Sequence, residues 1–238
     1  MGAGMQKVGF ELPGWVPPQA PDVDVLDGRF VRLERLSCDR HGAALFQAYS
    51  GHDAVWTYLP VGPFHSSAQY QRWVRENETS TDPYFFAIQD KVSGKWAGVC
   101  SFLRITPNAG TIEVGFLTFS PVLQRTPAAT EAMFLMMQWA FEAGYRRYEW
   151  KCDALNVPSR RAAQRLGFSY EGVFRQAAVV KGRNRDTAWF AVIDREWPAL
   201  KEAFHVWLSP ENFRPDGSQV ERLSDLTRLV RANDDPTL

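Results

Sequence analysis

The sequence predicts an α/β domain built on a mixed, mostly antiparallel central sheet, with one parallel strand–helix–strand unit and helices on its flanks. Three observations predict it. Residues 84–89, 95–105 and 111–119 are strand-like runs separated by turn-rich links at 90–94 and 107–110, and links that short join antiparallel neighbours. Residues 127–143 place Ala129, Met133, Met136, Met137 and Ala140 at helical spacing between the strand-like runs 111–119 and 148–153. A helix of that length between two strands is a crossover, which makes the pair parallel. Finally, 45% of the 238 residues are hydrophobic and 23% charged, an ordinary composition for a chain that buries a core.

Taken in order, residues 1–25 hold Pro13, Pro17, Pro18 and Pro21 without an amphipathic period, which predicts an extended Pro-rich arm. Residues 29–36 read as a strand, and 39–50 and 66–77 as helices, the second opened by a serine cap. After the three-strand meander, Thr126 is a good N-cap, Pro127 suits the first helical position, and Gly144 can end the helix. A strand at 148–153 and a short helix at 158–166, stopped by Gly167, come next. Strands at 170–180 and 187–194 flank the turn-rich stretch 181–186. An aromatic-rich helix follows at 198–208. Trp197, Phe204, Trp207 and Phe213 would either cover a sheet edge or form a surface for a homodimer. Beyond it the chain is polar, with Val220, Leu223, Leu226, Leu229 and Val230 marking a short amphipathic helix.

Several classes of function are disfavoured. Lys+Arg and Asp+Glu both total 27, so no global field favours nucleic acid or an anionic membrane. No apolar run approaches the roughly 20 residues that cross a bilayer, and the start lacks a signal-peptide pattern; the expected location is cytoplasmic. Cys38, Cys100 and Cys152 have no paired spacing, and His41, His52, His65 and His205 show no metal-ligand spacing, so no metal is expected. Nucleophile-elbow, Walker-type and dinucleotide glycine patterns are absent. Cys152 is better suited to a small buried strand position than to nucleophilic work.

Two segments carry the chemistry. In the first, the strand ending Leu117-Thr118-Phe119 passes through Gln124-Arg125-Thr126 to a helix that begins Pro127-Ala128-Ala129-Thr130. Free N–H groups and the dipole at such a helix start favour an anion. The second runs Asn156-Val157-Pro158-Ser159 and ends Leu166-Gly167-Phe168. Together they resemble the GNAT acetyltransferase superfamily, and especially its RimJ/RimL-like branch. That family pairs a Gln/Arg-x-x-Gly-x-Gly/Ala loop and long helix with a later Asn-x-x-Ser…Leu-Gly-Phe segment. The element order fits over about residues 26–197, leaving the arm at 1–25 and a helical extension and tail at 198–238. Pro127 stands where the family has a loop glycine, which removes one backbone donor.

The resemblance implies a GNAT-type sheet and an enzyme that moves an acetyl group from acetyl-CoA to a primary amine, either a small amine or a peptide or protein N-terminus. The loop from Gln124 to Thr130 would cradle the pyrophosphate through the amides of Arg125, Thr126, Ala128 and Ala129. Leu117 and Phe119 would pair with the pantetheine arm through their backbone. Glu113 is the candidate base, with a buried ion pair to Arg104 as the alternative. Ser159 is the candidate acid at the coenzyme sulfur, with a helix-start role as its alternative. Asn156 would hold backbone groups or the pantetheine arm, or simply cap the helix. Arg161 and Arg165, at i, i+4, could meet the 3′-phosphate or lie on a solvated face. Trp56 and Tyr58 suggest an acceptor wall, against the commoner use of such aromatics in packing. Two rival functions remain, a non-catalytic CoA-binding module and a transferase for a longer acyl-CoA.

Overall fold

A computed structural model describes residues 6–238; the first five residues of the expected arm lie outside the described residues. One eight-stranded sheet runs in the order β1 (Val25–Asp27), β2 (Val31–Arg35), β3 (Tyr84–Asp90), β4 (Lys95–Thr106), β5 (Thr111–Phe119), β6 (Arg147–Asp153), β8 (Arg183–Ile193) and β7 (Ser169–Val180). Each neighbouring pair is antiparallel except β5–β6. The long helix α3 (Pro127–Glu142) links those two strands. The mixed sheet and its single parallel unit are as the sequence predicts.

Strand alternation divides the core. On β3, Phe86 and Ile88 join the larger cluster, which includes Met133, Met136 and Met137 of α3, while Phe85 and Ala87 join a second one. The second cluster includes Leu45 and Tyr49 of α1 (Ala43–Tyr49) and Tyr70 and Val74 of α2 (Ser67–Asn77). Helix boundaries follow from local chemistry. Ser66 accepts the N–H of Gln69 at 3.3 Å to start α2. Gly144 (φ 96°) and Gly167 (φ 93°) take the left-handed conformation that ends α3 and α4 (Val157–Arg165). In both cases the next residue's N–H closes a 3.1 Å bond back to the helix, from Tyr145 to Ala140 and from Phe168 to Ala163.

The structure departs from the sequence expectations at several places. The strand expected at 29–36 is the second limb of a hairpin, β1–β2. Its turn is held from α3: the Glu131 carboxylate accepts the N–H groups of Arg29, Phe30 and Val31 at 2.9, 2.6 and 3.0 Å. The helix expected at 39–50 is a wide turn, Cys38–Gly42, running into α1. β8 starts at Arg183, so the β7–β8 arm is longer than expected and only Lys181 and Gly182 form its tip. The polar tail forms a shorter helix, α6 (Leu223–Arg228). Of the aromatics proposed for a sheet edge or dimer surface, Trp197, Phe204 and Trp207 of α5 (Trp197–Leu208) are buried, the first two against α3. Phe213, beyond the helix, is half-buried with its ring 5.2 Å from Trp207. Phe204 lies 5.2 Å from the Phe134 ring and Trp197 stacks on Phe141 at 5.1 Å.

Both flanking segments are fastened to the domain. Tyr145 donates to the Gln19 carbonyl at 2.9 Å, and Pro18 and Pro21 are buried. At the other end, Arg160 of α4 pairs with buried Asp235 at 2.6 Å, and Arg231 donates to the Gln164 carbonyl at 2.9 Å.

Candidate active site

The site begins where the parallel pair stops. Paired residues of β5 and β6 run from Thr111 and Arg147 to Val114 and Trp150. Phe116 then takes φ 50° at a bulge in the β4–β5 register. A bulge re-aims a strand, and among the described residues β5 has no partner on its β6 side from Gly115 onward. The gap is a cleft of about 530 Å³. Leu117, Phe119, Gln124, Asn156 and Ser159 line it, as do Glu113 and Tyr58.

At one end lies the loop before α3. Gln124 Nε2 donates to the Phe119 carbonyl at 2.8 Å. Thr126 caps the helix by accepting the N–H of Ala129 at 3.1 Å, and its own N–H reaches the Leu123 carbonyl at 3.4 Å. Among the described residues, the N–H groups of Arg125 and Ala128 have no hydrogen-bond partner. Of the four amides expected to face a pyrophosphate, two are therefore open and two are engaged, because the Thr126 cap and the loop turn use them. The Thr130 hydroxyl accepts from Arg165 at 3.1 Å, and the Arg165 guanidinium lies 5.1 Å from the centre of the Trp207 ring. Arg165 is thus turned into the protein, whereas Arg161 is exposed.

Strand alternation sorts the remaining groups onto the two faces of the sheet. On β6, Tyr148, Trp150 and Cys152 join the α3-side core, so Glu149, Lys151 and Asp153 belong to the opposite face. Glu113, between core residues Ile112 and Val114, shares that face. Ser159 sits on the α3 side, where its Oγ accepts from Trp150 Nε1 at 3.1 Å. That bond leaves the serine's own proton available to a group in the cleft. Burial pushes the adjacent Cys152 thiol up, against a smaller opposing pull from Ser159, so Cys152 stays a thiol. Asn156 caps α4 by accepting the Ser159 N–H at 3.2 Å.

Glu113 is only 2% exposed, and both of its oxygens are engaged. Arg104 Nη1 donates to them at 2.6 and 2.7 Å, and Lys151 Nζ lies 2.9 Å from Oε2. Lys151 also pairs with Glu149 at 2.6 Å and packs 3.9 Å from the centre of the Trp189 ring. Burial opposes ionisation of Glu149, yet the hydrogen bonds from Arg147 and Lys151 hold its carboxyl below the ordinary range. Arg104 has φ 46°, at a bulge where Asp82 accepts the N–H groups of Arg104 and Ile105 at 2.9 and 3.1 Å. The ion pair weighed as the alternative for Glu113 is therefore present, on the wall of the cleft.

The two aromatic candidates separate. The Tyr58 hydroxyl crosses to the Leu155 carbonyl at 3.2 Å. Trp56, expected in an acceptor wall, does not line this cleft: it is 3% exposed, with its ring 5.1 Å from both Tyr49 and Phe64. Its carbonyl accepts from Lys181 at the tip of the β7–β8 arm at 2.8 Å. Arg104, Lys151 and Arg185 also line the cleft, and sequence reasoning assigned none of them a binding or catalytic role there. One signal was available: Arg147, Glu149, Lys151 and Asp153 alternate with apolar residues and mark one face of β6 as charged.

The model for the acetyltransferase (GNAT) domain matches residues 31–169. The chain belongs to the GNAT acetyltransferase family. Among solved GNAT structures, a GCN5-related N-acetyltransferase from Brucella melitensis is 49% identical, with a TM-score of 0.89 over 91% of this chain and 100% of that one. A GNAT-family protein from Chromobacterium violaceum is 40% identical, with a TM-score of 0.76 over 82% of this chain and 98% of its own. The uncharacterized N-acetyltransferase p20 of Bacillus licheniformis is 25% identical over 170 residues, 70% of this chain and 95% of the relative.

Proposed function

We propose that this GNAT protein transfers an acetyl group from acetyl-CoA directly to a primary amine, on a small molecule or a peptide or protein N-terminus, as a cytoplasmic member of the RimJ/RimL-like branch. The observation that carries this reading is that Glu113 and Ser159 reach one cleft from opposite faces of a splayed sheet. A thioester threaded through the splay would meet the amine on the Glu113 side and release its sulfur on the Ser159 side. The open amides of Arg125 and Ala128 suit the pyrophosphate.

In the transfer, the amine nitrogen bonds to the thioester carbon as the carbon–sulfur bond breaks. The arriving ammonium first gives one proton to Glu113, directly or through water, and the neutral nitrogen attacks. The nitrogen's second proton is relayed through water to the Ser159 hydroxyl as Ser159 passes its own to the departing thiolate, so the serine ends neutral. Glu113 must first exchange a partner. Arg104, with a side chain 58% exposed, is the one able to withdraw as an acceptor ammonium arrives, while Lys151 at 7% stays in place.

The test is calorimetric titration with acetyl-CoA beside an assay of thiol release across an amine panel. Wild type should bind the donor and release thiol only with an amine present. Ser159→Ala should slow release by about 10- to 100-fold at unchanged donor affinity. A protein that binds neither acetyl-CoA nor CoA would overturn the reading. Donor binding without amine-dependent release would favour a non-catalytic module, and faster release from longer acyl-CoAs would favour a different donor.

A further inference from the structure

The acceptor side of the cleft carries a guanidinium that the fold leaves half used. On β8, Ala188, Phe190 and Val192 join the α3-side core, so Arg185, Thr187 and Trp189 lie on the face that also holds Glu113 and Lys151. Register supports this placement, since Trp189 sits opposite Lys151 and Thr187 opposite Asp153. Arg185 lines the cleft. Its Nε donates to the Thr187 hydroxyl at 3.2 Å, which fixes the head group. Among the described residues, neither of its two terminal nitrogens has a hydrogen-bond partner or a carboxylate within ion-pair distance.

The other charges on this wall are committed to each other or to the backbone. Glu113 holds Arg104 and Lys151, and Lys151 also holds Glu149. Asp153 accepts the N–H of Leu155 at 2.9 Å. Three cationic side chains, Arg104, Lys151 and Arg185, line the cleft against two carboxylates, Glu113 and Asp153, so the lining carries one surplus positive charge. A fork of two free nitrogens, oriented by its third, matches the two oxygens of a carboxylate or phosphate. The arm that carries it is also anchored: Lys181, four residues away, donates to the Trp56 carbonyl at 2.8 Å.

We infer that the acceptor bears an oxyanion near its amine, and that Arg185 receives that group and selects for it. This rests on the acetyl-transfer reading above. Glu113 meets the ammonium end and Arg185 the anionic end, so the preferred acceptor is zwitterionic, such as an amino acid, an acidic peptide or an aminoalkyl phosphate. A neutral alkylamine would leave the Arg185 fork to water.

The test measures steady-state acetylation of matched acceptors by the full chain: amino acids and short peptides with free carboxylates, their amides, and aminoalkyl phosphates. The anionic members should show KM values about 10- to 100-fold below those of their neutral partners. The carboxylate and phosphate arms tell which oxyanion is meant. Arg185→Met should raise KM for the anionic members alone, with kcat and acetyl-CoA affinity unchanged, and Arg185→Lys should restore part of the preference. Equal use of neutral and anionic acceptors by wild type would overturn the inference while leaving acetyl transfer intact. So would an Arg185→Met variant that loses acetyl-CoA affinity, since Arg185 would then serve the donor. Absence of acetyl-CoA binding in wild type would remove both readings.

Discussion

Two buried glutamates, Glu113 and Glu131, are held in opposite ways. Glu131 is 6% exposed and its carboxylate accepts three main-chain N–H groups from the β1–β2 turn. Its partners are backbone, fixed by the hairpin, and among the described residues no cation reaches it within salt-bridge distance. Glu113 is 2% exposed and is held by two side-chain cations, one of them largely in solvent. Backbone partners cannot leave without unfolding the turn, whereas a solvated arginine can leave by rotating its side chain. The first arrangement fastens the hairpin to α3. The second leaves a carboxylate with one solvated partner, as the proposed base role would need.

Substitutions should separate the two. The largest effect on stability is expected from Glu131→Ala, which strands three N–H groups and should cost about 3–5 kcal/mol in chemical denaturation. The surviving folded fraction should keep its acetyl-CoA affinity. Glu113→Gln should do the reverse, lowering kcat by about 100- to 1,000-fold at a stability cost under about 2 kcal/mol. Equal stability losses in the two variants would erase the distinction.

A third buried group, His41, sharpens the point because it is held as a neutral species. Burial first, and the nearby Arg40 charge second, push its pKa down to about 4, with Glu34 opposing. Its Nδ1 accepts the Ser37 N–H at 3.1 Å. The unfolded chain, with an ordinary histidine, binds more protons between pH 6.5 and 4. Stability should therefore fall as pH drops through that window, by roughly 2–3 kcal/mol in all. His41→Gln should flatten that slope in denaturation curves measured at several pH values. The smallest effect belongs to the rim. Arg147 and Glu171 form a partly exposed pair, and Glu171→Gln should change stability by less than about 1 kcal/mol, an effect that shrinks further in salt.

These contrasts mark what was legible in the sequence. Ser66, Thr126, Asn156, Gly144 and Gly167 announced helix ends correctly because capping is settled within a few residues. The parallel unit was legible for the same reason, as one long apolar helix between two short strands. The β1–β2 turn was not, since the carboxylate that organises it lies about a hundred residues away along the chain. The roles of the two glutamates were equally opaque, because neighbouring residues do not reveal whether a partner will be backbone or side chain. Arg104, Lys151 and Arg185 come together only through sheet register and two bulges. Trp56 shows the limit from the other side: the residue type marked an aromatic site, and packing turned the ring inward.

The Arg160–Asp235 pair bears on how distant sequence changes should be interpreted. Arg160 adjoins Ser159 on the first turn of α4, and its charge is neutralised by a residue 75 positions away. Replacing Asp235 would leave an uncompensated cation in the protein beside the candidate acid. A substitution there, far from the cleft on any linear map, would act one residue from Ser159.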